Sequence, residues 1–202
     1  MTPLKYSMSF TTAALLHHES LKVAVLYALH KNWDEVRSIV IAENSIQSRT
    51  ANTLKRFTSE ITSRLKTLSD HEISFLTEAN YVEQGYMLWL ALCRRYTFIA
   101  DFAVDVIYRN FSSFKSTVDY EDYNAYFNNK AEWHSEVDGV APATKRKLRQ
   151  TIFQMMREAG LVDKNNAIIP VIPTPAFRDI LAAVDGREPM YFPIAEIARG
   201  AQ

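Results

Sequence analysis

Apolar side chains recur at intervals of three and four residues through the first half of the chain, and helix-start signals separate the apolar runs. This spacing places the apolar side chains on one face of an α-helix, and the alternation typical of a half-buried strand is absent. The pattern predicts helices over residues 15–29, over 48–68, from Trp33 to about Asn44, and a short helix after Ser69. The N-terminal part of the chain is therefore predicted to be all-helical.

Two of these helix starts carry the sequence of a capping box. Asn32 is followed three residues later by Glu35, and Ser69 is followed three residues later by Glu72. In this motif the polar side chain accepts a hydrogen bond from the backbone N–H of the acidic residue. The carboxylate of the acidic residue in turn accepts the backbone N–H of the capping residue. Both pairs therefore predict a helix that begins at the next residue.

The segment 82–111 is apolar on nearly every side and is interrupted by the pair Arg94–Arg95 and by Asp101 and Asp105. A helix that is apolar all round is one that other helices surround. We expect this segment to form a central helix, or two helices end to end. Its apolar run over 85–93 is nine residues long, whereas a membrane-spanning helix needs about 20. No membrane partner is predicted.

The second half of the chain carries a different order of signals. Residues 120–131 predict a short helix and residues 135–141 predict a loop. Pro142 then begins a strong helix, in a position where its missing N–H costs nothing. That helix is expected to run to Ala159 and to end at Gly160, because glycine commonly follows the last helical residue.

Turn residues over 164–166 lie between two apolar stretches and predict a β-hairpin over 161–169. Helix, loop, helix and hairpin is the order of a winged helix-turn-helix. The predicted fold is mainly α, with a helical bundle followed by a small winged-helix-like α+β domain that has one short hairpin. The predicted parts are a bundle over 1–115, a winged-helix-like domain over 116–195 and a tail over 196–202.

Charge is distributed unevenly, although 23 basic and 23 acidic residues cancel over the whole chain. Residues 1–69 carry nine basic and five acidic side chains, 70–140 carry five and twelve, and 141–202 carry nine and six. The net charges are therefore +4, −7 and +3. Whole-chain neutrality argues against a polycationic tail, but the segments leave two basic regions that suit a polyanion.

Several common kinds of functional site are disfavoured. The five glycines are too far apart to form a phosphate-binding loop of the Rossmann or Walker kind. The single cysteine, Cys93, excludes a disulfide within the chain and zinc sites built on several cysteines. No signal peptide is evident, and a reducing, cytoplasmic setting fits.

Two clusters of histidine and acidic residues are candidates for metal or acid/base sites. Residues 17–19 read His-His-Glu, but neighbours on a helix point about 100° apart, and a two-histidine metal face needs a spacing of four residues. Glu132, His134 and Glu136 alternate in the predicted loop region without a partner motif. We predict no catalytic residue, no metal, no cofactor and no small-molecule substrate, and hence no enzymatic activity.

The helix over 142–159 carries the most informative charge pattern. Cations in its first turn oppose the helix dipole, so their placement disfavours the helix and indicates binding. Arginine and glutamine near the start of such a second helix reach phosphates and base edges in a major groove. The alternatives are a solvated basic face or a protein-docking winged helix. The candidate DNA-binding residues here are Lys145, Arg146, Lys147, Arg149, Gln150 and Arg157, with Lys164 at the predicted wing tip.

A second basic group lies on the predicted helix over 48–68 and includes Arg49, Lys55, Arg56 and Arg64. Basic side chains one or two turns apart on a helix can follow a phosphate backbone. The same side chains could instead pair with the acidic middle segment of the chain, as surface pairs commonly do. Both interpretations stay open at this point.

Strings in five stretches of the chain together resemble the BrxA family, small proteins encoded with BREX phage-defence systems. The resemblance spans about Met8 to Ile194 and depends on the number and order of the strings, since none is a catalytic motif. The strings are MSFTTAALLHHESLKVA (8–24), NWDEVR and ENSIQSRT (within 32–50), SRLKTLSD (63–70), LWLALCRRYTFIADFAVDV (88–106), and NNKAEWHSE with TKRKLRQTIFQMMREAGLV (within 128–162).

The resemblance implies a non-enzymatic accessory protein that binds double-stranded DNA and supports host DNA methylation and phage restriction. It implies other BREX components as partners, among them a methyltransferase and an ATPase. It also implies an N-terminal helical region similar to the antitermination factor NusB. The competing expectation is a protein-docking scaffold that assembles defence components without direct DNA contact.

Overall fold

The computed structural model describes residues 5–183 and 186–195, and it is mainly helical. Short 3-10 turns lie at Phe10–Thr12 and at Glu188–Tyr191. The described helices are α1 (His17–His30), α2 (Trp33–Glu43), α3 (Ala51–Leu65), α4 (Asp70–Glu78), α5 (Tyr81–Arg95), α6 (Thr97–Phe102), α7 (Arg109–Ser112), α8 (Tyr120–Ala131), α9 (Ser135–Asp138), α10 (Pro142–Glu158) and α11 (Pro175–Ala182).

The predicted capping boxes differ in how completely they form. The Ser69 hydroxyl accepts the Glu72 N–H at 3.3 Å, and the Glu72 carboxylate accepts the Ser69 N–H at 2.7 Å. The Asn32 side chain accepts the N–H groups of Asp34 and Glu35 at 3.0 and 3.3 Å. The Glu35 carboxylate instead bonds the histidine that ends α1. Asn32 is therefore the N-cap of α2 without the returning half of the box.

The third helix is shorter than the predicted 48–68. It runs from Ala51 to Leu65 because Thr50, in an extended conformation, is its N-cap. The Thr50 hydroxyl accepts the Thr53 N–H at 3.2 Å. A side-chain cap of this kind satisfies one of the free N–H groups of a first turn and fixes where the helix begins.

The central apolar segment forms two helical stretches end to end, which is one of the two predicted arrangements. Residues 85–93 of α5 are all buried. Tyr96 leaves the helical region with φ −127° and ψ 94°, and α6 then begins. The second stretch continues from α6 through a π-helical segment, Ala103–Tyr108, into α7. A π-helical segment is an uncommon local widening of a helix.

The predicted helices of the second half are confirmed, and the predicted loop over 135–141 is partly wrong. It contains the short helix α9, whose Val137 is buried. α10 begins at Pro142, and Gly160 follows it with a φ of +73°. Such a left-handed conformation suits glycine, which has no Cβ to clash.

The predicted β-hairpin does not form as a pair of strands. In the described part of the chain, backbone pairing is limited to isolated antiparallel bridges between Val162 and Ile168 and between Thr117 and Ala167. Pro170, two residues after Ile168, has no N–H with which to continue the ladder. The prediction of a winged-helix hairpin is therefore corrected to a tight turn held by single bridges.

The apolar core continues across the predicted domain boundary. The Trp89 indole N–H of α5 donates to the Tyr191 carbonyl at 3.1 Å. A Cβ on Gly85 would lie 3.2 Å from the Ala159 carbonyl oxygen, so α5 and the end of α10 approach closely there.

Two expectations about the architecture stay predictions: the division into parts over 1–115 and 116–195, and the likeness to NusB. The predicted tail over 196–202 lies outside the described residues.

Candidate nucleic-acid interface

The apolar stripe of α10 fixes which side of the helix faces solvent. All five of its predicted members are buried, and so is Phe153. Because the stripe is buried against the core, the opposite side, which carries the basic residues, faces outward. The predicted stripe residues are Leu148, Ile152, Met155, Met156 and Ala159.

Two cations of α10 lie against α8. The Lys145 ammonium donates to the Asn128 side-chain oxygen at 2.6 Å and lies 4.4 Å from the centre of the Phe127 ring. The Arg149 guanidinium lies 4.3 Å from the centre of the Tyr120 ring. Aromatic faces attract cations, so these rings hold the two side chains in place while leaving them partly exposed. Desolvation, with a smaller effect of the nearby Arg149 charge, lowers the pKa of Lys145.

Three further candidates on α10 extend into solvent. Arg146, Lys147 and Gln150 are exposed, and their side chains have no hydrogen bond or ion pair within the described residues. A side chain without a protein partner can reach an incoming phosphate without first breaking a bond. These three residues are the exposed and unpaired candidates on α10 itself.

The turn after α10 is tied to the helix by Arg157. Its guanidinium donates to the Asn166 side-chain oxygen at 3.0 Å. The Asn166 carbonyl accepts the Val118 N–H at 3.0 Å, and Asn166 has a φ of +62°. Lys164 is exposed in the same turn. Although strands are absent here, the predicted wing tip lies beside the C-terminal half of α10. We call Arg146, Lys147, Arg149, Gln150, Arg157 and Lys164 the α10 surface.

Arg64 of α3 is not available to a nucleic acid. It is 3% exposed, and its Nε donates to the Glu60 carboxylate at 2.8 Å. Its Nη atoms donate to backbone carbonyls of residues 13–15. Glu60 also accepts the Tyr96 hydroxyl at 2.6 Å. Arg64 therefore joins α3 to the N-terminal segment, and we withdraw it from the candidate interface.

The other basic candidates, which lie on α3 and just before it, are exposed. Arg49, Lys55 and Arg56 form no ion pair with an acidic residue in the part of the chain that the structure describes, so the acidic middle segment does not neutralise them there. Lys55 and Arg56 line an open basin of about 590 Å³, and so does Arg37 of α2. Sequence reasoning missed Arg37 because it lies on a different helix, and no local spacing connects it with α3.

The acidic and histidine cluster over 132–136 has a structural role. The Glu136 carboxylate accepts the Tyr6 backbone N–H at 2.6 Å, and the His134 ring lies 4.2 Å from the Tyr6 ring. This hydrogen bond, with a contribution from His134, lowers the pKa of Glu136. Among the described residues, no group of three or more His, Cys, Asp or Glu side chains could hold a metal ion.

An apolar groove lies between α1 and the start of α5. Val25 and Tyr81 line it and are 45% and 68% exposed. Leu29 and Val82, which lie near them in sequence, are exposed as well. The His17 ring stacks on the Tyr81 ring at 4.2 Å and lines the groove. Exposed apolar side chains of this kind are typical of surfaces that contact other proteins.

No helix of the described part is long and apolar enough to cross a membrane.

Comparisons with known proteins agree on one family. A family model described as BrxA matches residues 4–185. Over 187 residues the chain is 26% identical to the BREX protein BrxA of Bacillus cereus (strain H3081.97), covering 90% of this chain and 92% of that protein. Over 149 residues it is 24% identical to the BREX protein BrxA of Escherichia coli O9:H4 (strain HS), covering 74% of this chain and 70% of that protein.

The fold is shared with a solved structure. The crystal structure of an uncharacterized protein from Magnetospirillum magneticum matches with a TM-score of 0.80 at 18% identity. The match covers 95% of this chain and 99% of that one. At this level of identity the likeness concerns the fold alone.

Proposed function

The chain belongs to the BrxA family, and from this we propose that it is a cytoplasmic accessory protein of a BREX phage-defence system that binds duplex DNA. The curated relatives are named BREX proteins, and none of their names is that of an enzyme. We propose that the protein has no enzymatic activity of its own. Its DNA contact would support host DNA methylation and phage restriction by other BREX components, including a methyltransferase and an ATPase.

The observation that supports DNA binding most directly is the α10 surface. Its apolar side is buried, while Arg146, Lys147 and Gln150 extend into solvent without a partner in the described residues. Exposed cations on one side of a helix suit a row of phosphates. Two further groups extend the same basic surface along α10. They are Arg149, which rests on the Tyr120 ring, and the turn that carries Lys164.

Binding of this kind would be largely independent of base sequence. Phosphate contacts fix the position of a protein on the duplex, whereas base-edge contacts provide specificity. On the α10 surface the amide of Gln150 is the side chain best suited to an adenine edge, and arginine is suited to guanine. Few such groups are present, so we expect modest discrimination between sequences.

A gel-shift titration of the full chain on duplex DNA tests the proposal. Replacing Arg146→Glu together with Arg149→Glu reverses two charges of the α10 surface and should greatly weaken binding. Because Arg149 lies on the Tyr120 ring, the companion variant is Arg146→Glu with Lys147→Glu, whose two side chains are exposed and unpaired. Unchanged affinity in both variants would remove α10 from the interface.

Lys5→Glu with Lys66→Glu is the matched control. Both lysines are exposed, and neither belongs to the α10 surface. The change in net charge is the same as in the test variants. Equal weakening in control and test variants would mean that binding depends on net charge and has no defined site on α10.

The alternative function is protein docking without direct DNA contact. The exposed apolar side chains around the groove between α1 and α5 favour it. It predicts co-purification with another BREX component that survives nuclease treatment, and no measurable DNA affinity at physiological salt. Val25→Glu with Tyr81→Glu should abolish that co-purification, since both exposed side chains line the groove.

A further inference from the structure

Three separate elements meet at the basin beside α3. The 3-10 turn at Phe10–Thr12 contributes Thr12, and α2 contributes Arg37. The exposed N-terminal half of α3 contributes the remaining side chains of the basin, which are Asn52, Lys55, Arg56, Ser59 and Glu60. We call this set the α3 basin.

The positive charge of the α3 basin is not neutralised by the protein around it. Arg37, Lys55 and Arg56 have no ion pair within the described residues, and the guanidinium of Arg56 lies 5.9 Å from the centre of the Phe57 ring. The one carboxylate of the basin, Glu60, is held from inside by the Nε of Arg64 at 2.8 Å. The buried pair of Glu60 and Arg64 is neutral as a unit, so three cations remain.

The neutral polar groups of the basin are unpartnered as well. The side chains of Thr12, Asn52 and Ser59 form no hydrogen bond within the described residues. Each can donate a hydrogen bond to an anionic oxygen. Cations and neutral donors thus surround one concave space.

This combination of groups matches the chemistry of a phosphate. Guanidinium groups form paired hydrogen bonds with two phosphate oxygens, and lysine adds a point charge. A cleft lined by one sign of charge concentrates the opposite ion. A single carboxylate ligand would leave most of the donors unused, whereas a phosphate ester offers several oxygens in different directions.

We propose that the α3 basin is a binding site for phosphate groups, with Arg37 and Arg56 as the principal ligands and Lys55 as an additional cation. The site does not depend on DNA contact by the α10 surface. Two sources supply the same chemistry: the backbone of a nucleic acid and a soluble oligophosphate such as a nucleotide. Arg37 is the residue that this proposal adds to the basic group of α3.

Calorimetric titration of the full chain with inorganic tripolyphosphate at low salt tests the site. We expect saturable binding of one ligand, weakened about tenfold or more by Arg37→Gln with Arg56→Gln, because charge-assisted hydrogen bonds are lost. Lys55→Gln alone should have a smaller effect. The control is Lys66→Gln, an exposed lysine just after α3 that does not line the basin. Circular dichroism and a thermal melt establish that each variant is folded.

A parallel titration with a short DNA duplex distinguishes the two sources. Tripolyphosphate binding that is lost in the arginine variant, with duplex affinity unchanged, supports the site and indicates a soluble ligand. Loss of duplex affinity in the same variant supports the site and indicates the nucleic-acid backbone, whether or not tripolyphosphate binds. The proposal is overturned if neither ligand responds to the arginine variant, or if Lys66→Gln has an equal effect.

This outcome is separable from that of the proposed function. Charge reversal of Arg146 with Lys147 tests the α10 surface and leaves the basin intact. A protein that loses duplex binding in that variant but keeps tripolyphosphate binding would have two independent sites. A protein with no duplex affinity at all would overturn DNA binding and leave the basin to be judged by tripolyphosphate.

Discussion

The two basic helices differ in what their cations face. On α10, Arg146 extends into solvent and Arg149 rests on an aromatic ring of α8. On α3, Arg64 points into the protein and bonds three backbone carbonyls, whereas Arg56 faces the open basin. The number of cations on a helix therefore does not give its capacity to bind a polyanion. The orientation of each side chain relative to the core decides whether it binds a ligand or stabilises the fold.

The largest expected effect comes from removing the buried cation of α3. Arg64→Ala leaves Glu60 without its ion-pair partner and three carbonyls without donors, so we expect a loss of about 3–5 kcal/mol of unfolding free energy. Urea denaturation measures this loss. Lys55→Ala on the same helix should change stability by less than about 0.5 kcal/mol, since it is an exposed residue. Equal stability of the two variants would contradict the structural role of Arg64.

The next effect concerns DNA affinity and compares the two helices directly. Arg146→Glu with Lys147→Glu should weaken duplex binding by about tenfold or more without lowering stability, because both side chains are exposed. Arg49→Glu with Lys55→Glu makes the same change of charge on the α3 side and should weaken duplex binding less. Fluorescence anisotropy with a labelled duplex ranks the two variants. The reverse order would move the principal DNA contact to α3.

A smaller effect is expected at the aromatic support of α10. Tyr120→Ala removes the ring beneath Arg149 and its edge-to-face contact with Phe153, so we expect a loss of about 1–2 kcal/mol of stability. Tyr120→Phe keeps both ring contacts and should be nearly neutral. Thermal unfolding distinguishes the two variants. Equal losses would mean that the hydroxyl, and not the ring, provides the support.

The smallest effect is the titration of Lys145. Desolvation lowers the pKa of its ammonium below the usual 10.5, so the folded protein releases this proton at a lower pH than the unfolded chain. Folding stability attributable to Lys145 therefore increases as pH rises between the lowered value and 10.5. An NMR titration of the Lys145 side chain measures the pKa. A pKa at or above 10.5 would show that the ring and amide of α8 outweigh desolvation.

Much of the helical fold follows from local sequence. The apolar spacing predicted α1, α2 and α10, and the Ser69 and Glu72 pair located the start of α4. These signals lie within one or two turns of the chain, and the physical interactions behind them are equally local. The same locality explains why the predicted hairpin is wrong. Turn residues predicted the chain reversal over 161–169, but Pro170 stops the strand pairing, which is limited to isolated bridges in the described residues.

The candidate site was less predictable because its decisive contacts are distant in sequence. Arg64 finds its carbonyl partners about fifty residues earlier in the chain, at 13–15, and no spacing on α3 reveals them. Arg37 reaches the basin from another helix. The support of Arg149 by Tyr120 likewise depends on how α8 crosses α10. Composition and periodicity located the basic helices, but tertiary packing determined which of their cations face solvent.

The salt dependence of duplex affinity tests the central proposal most directly, because phosphate binding releases counterions in proportion to the phosphates contacted. If the full chain neutralises about four to six phosphates, the logarithm of the binding constant should fall with the logarithm of salt concentration at a slope of about −4 to −5. Replacing Arg146 and Lys147 with glutamine removes two cations and should make that slope less steep by about 1.8, because each phosphate contact contributes about 0.9. A slope that the double variant leaves unchanged, or no measurable duplex affinity at physiological salt, would contradict DNA binding through α10.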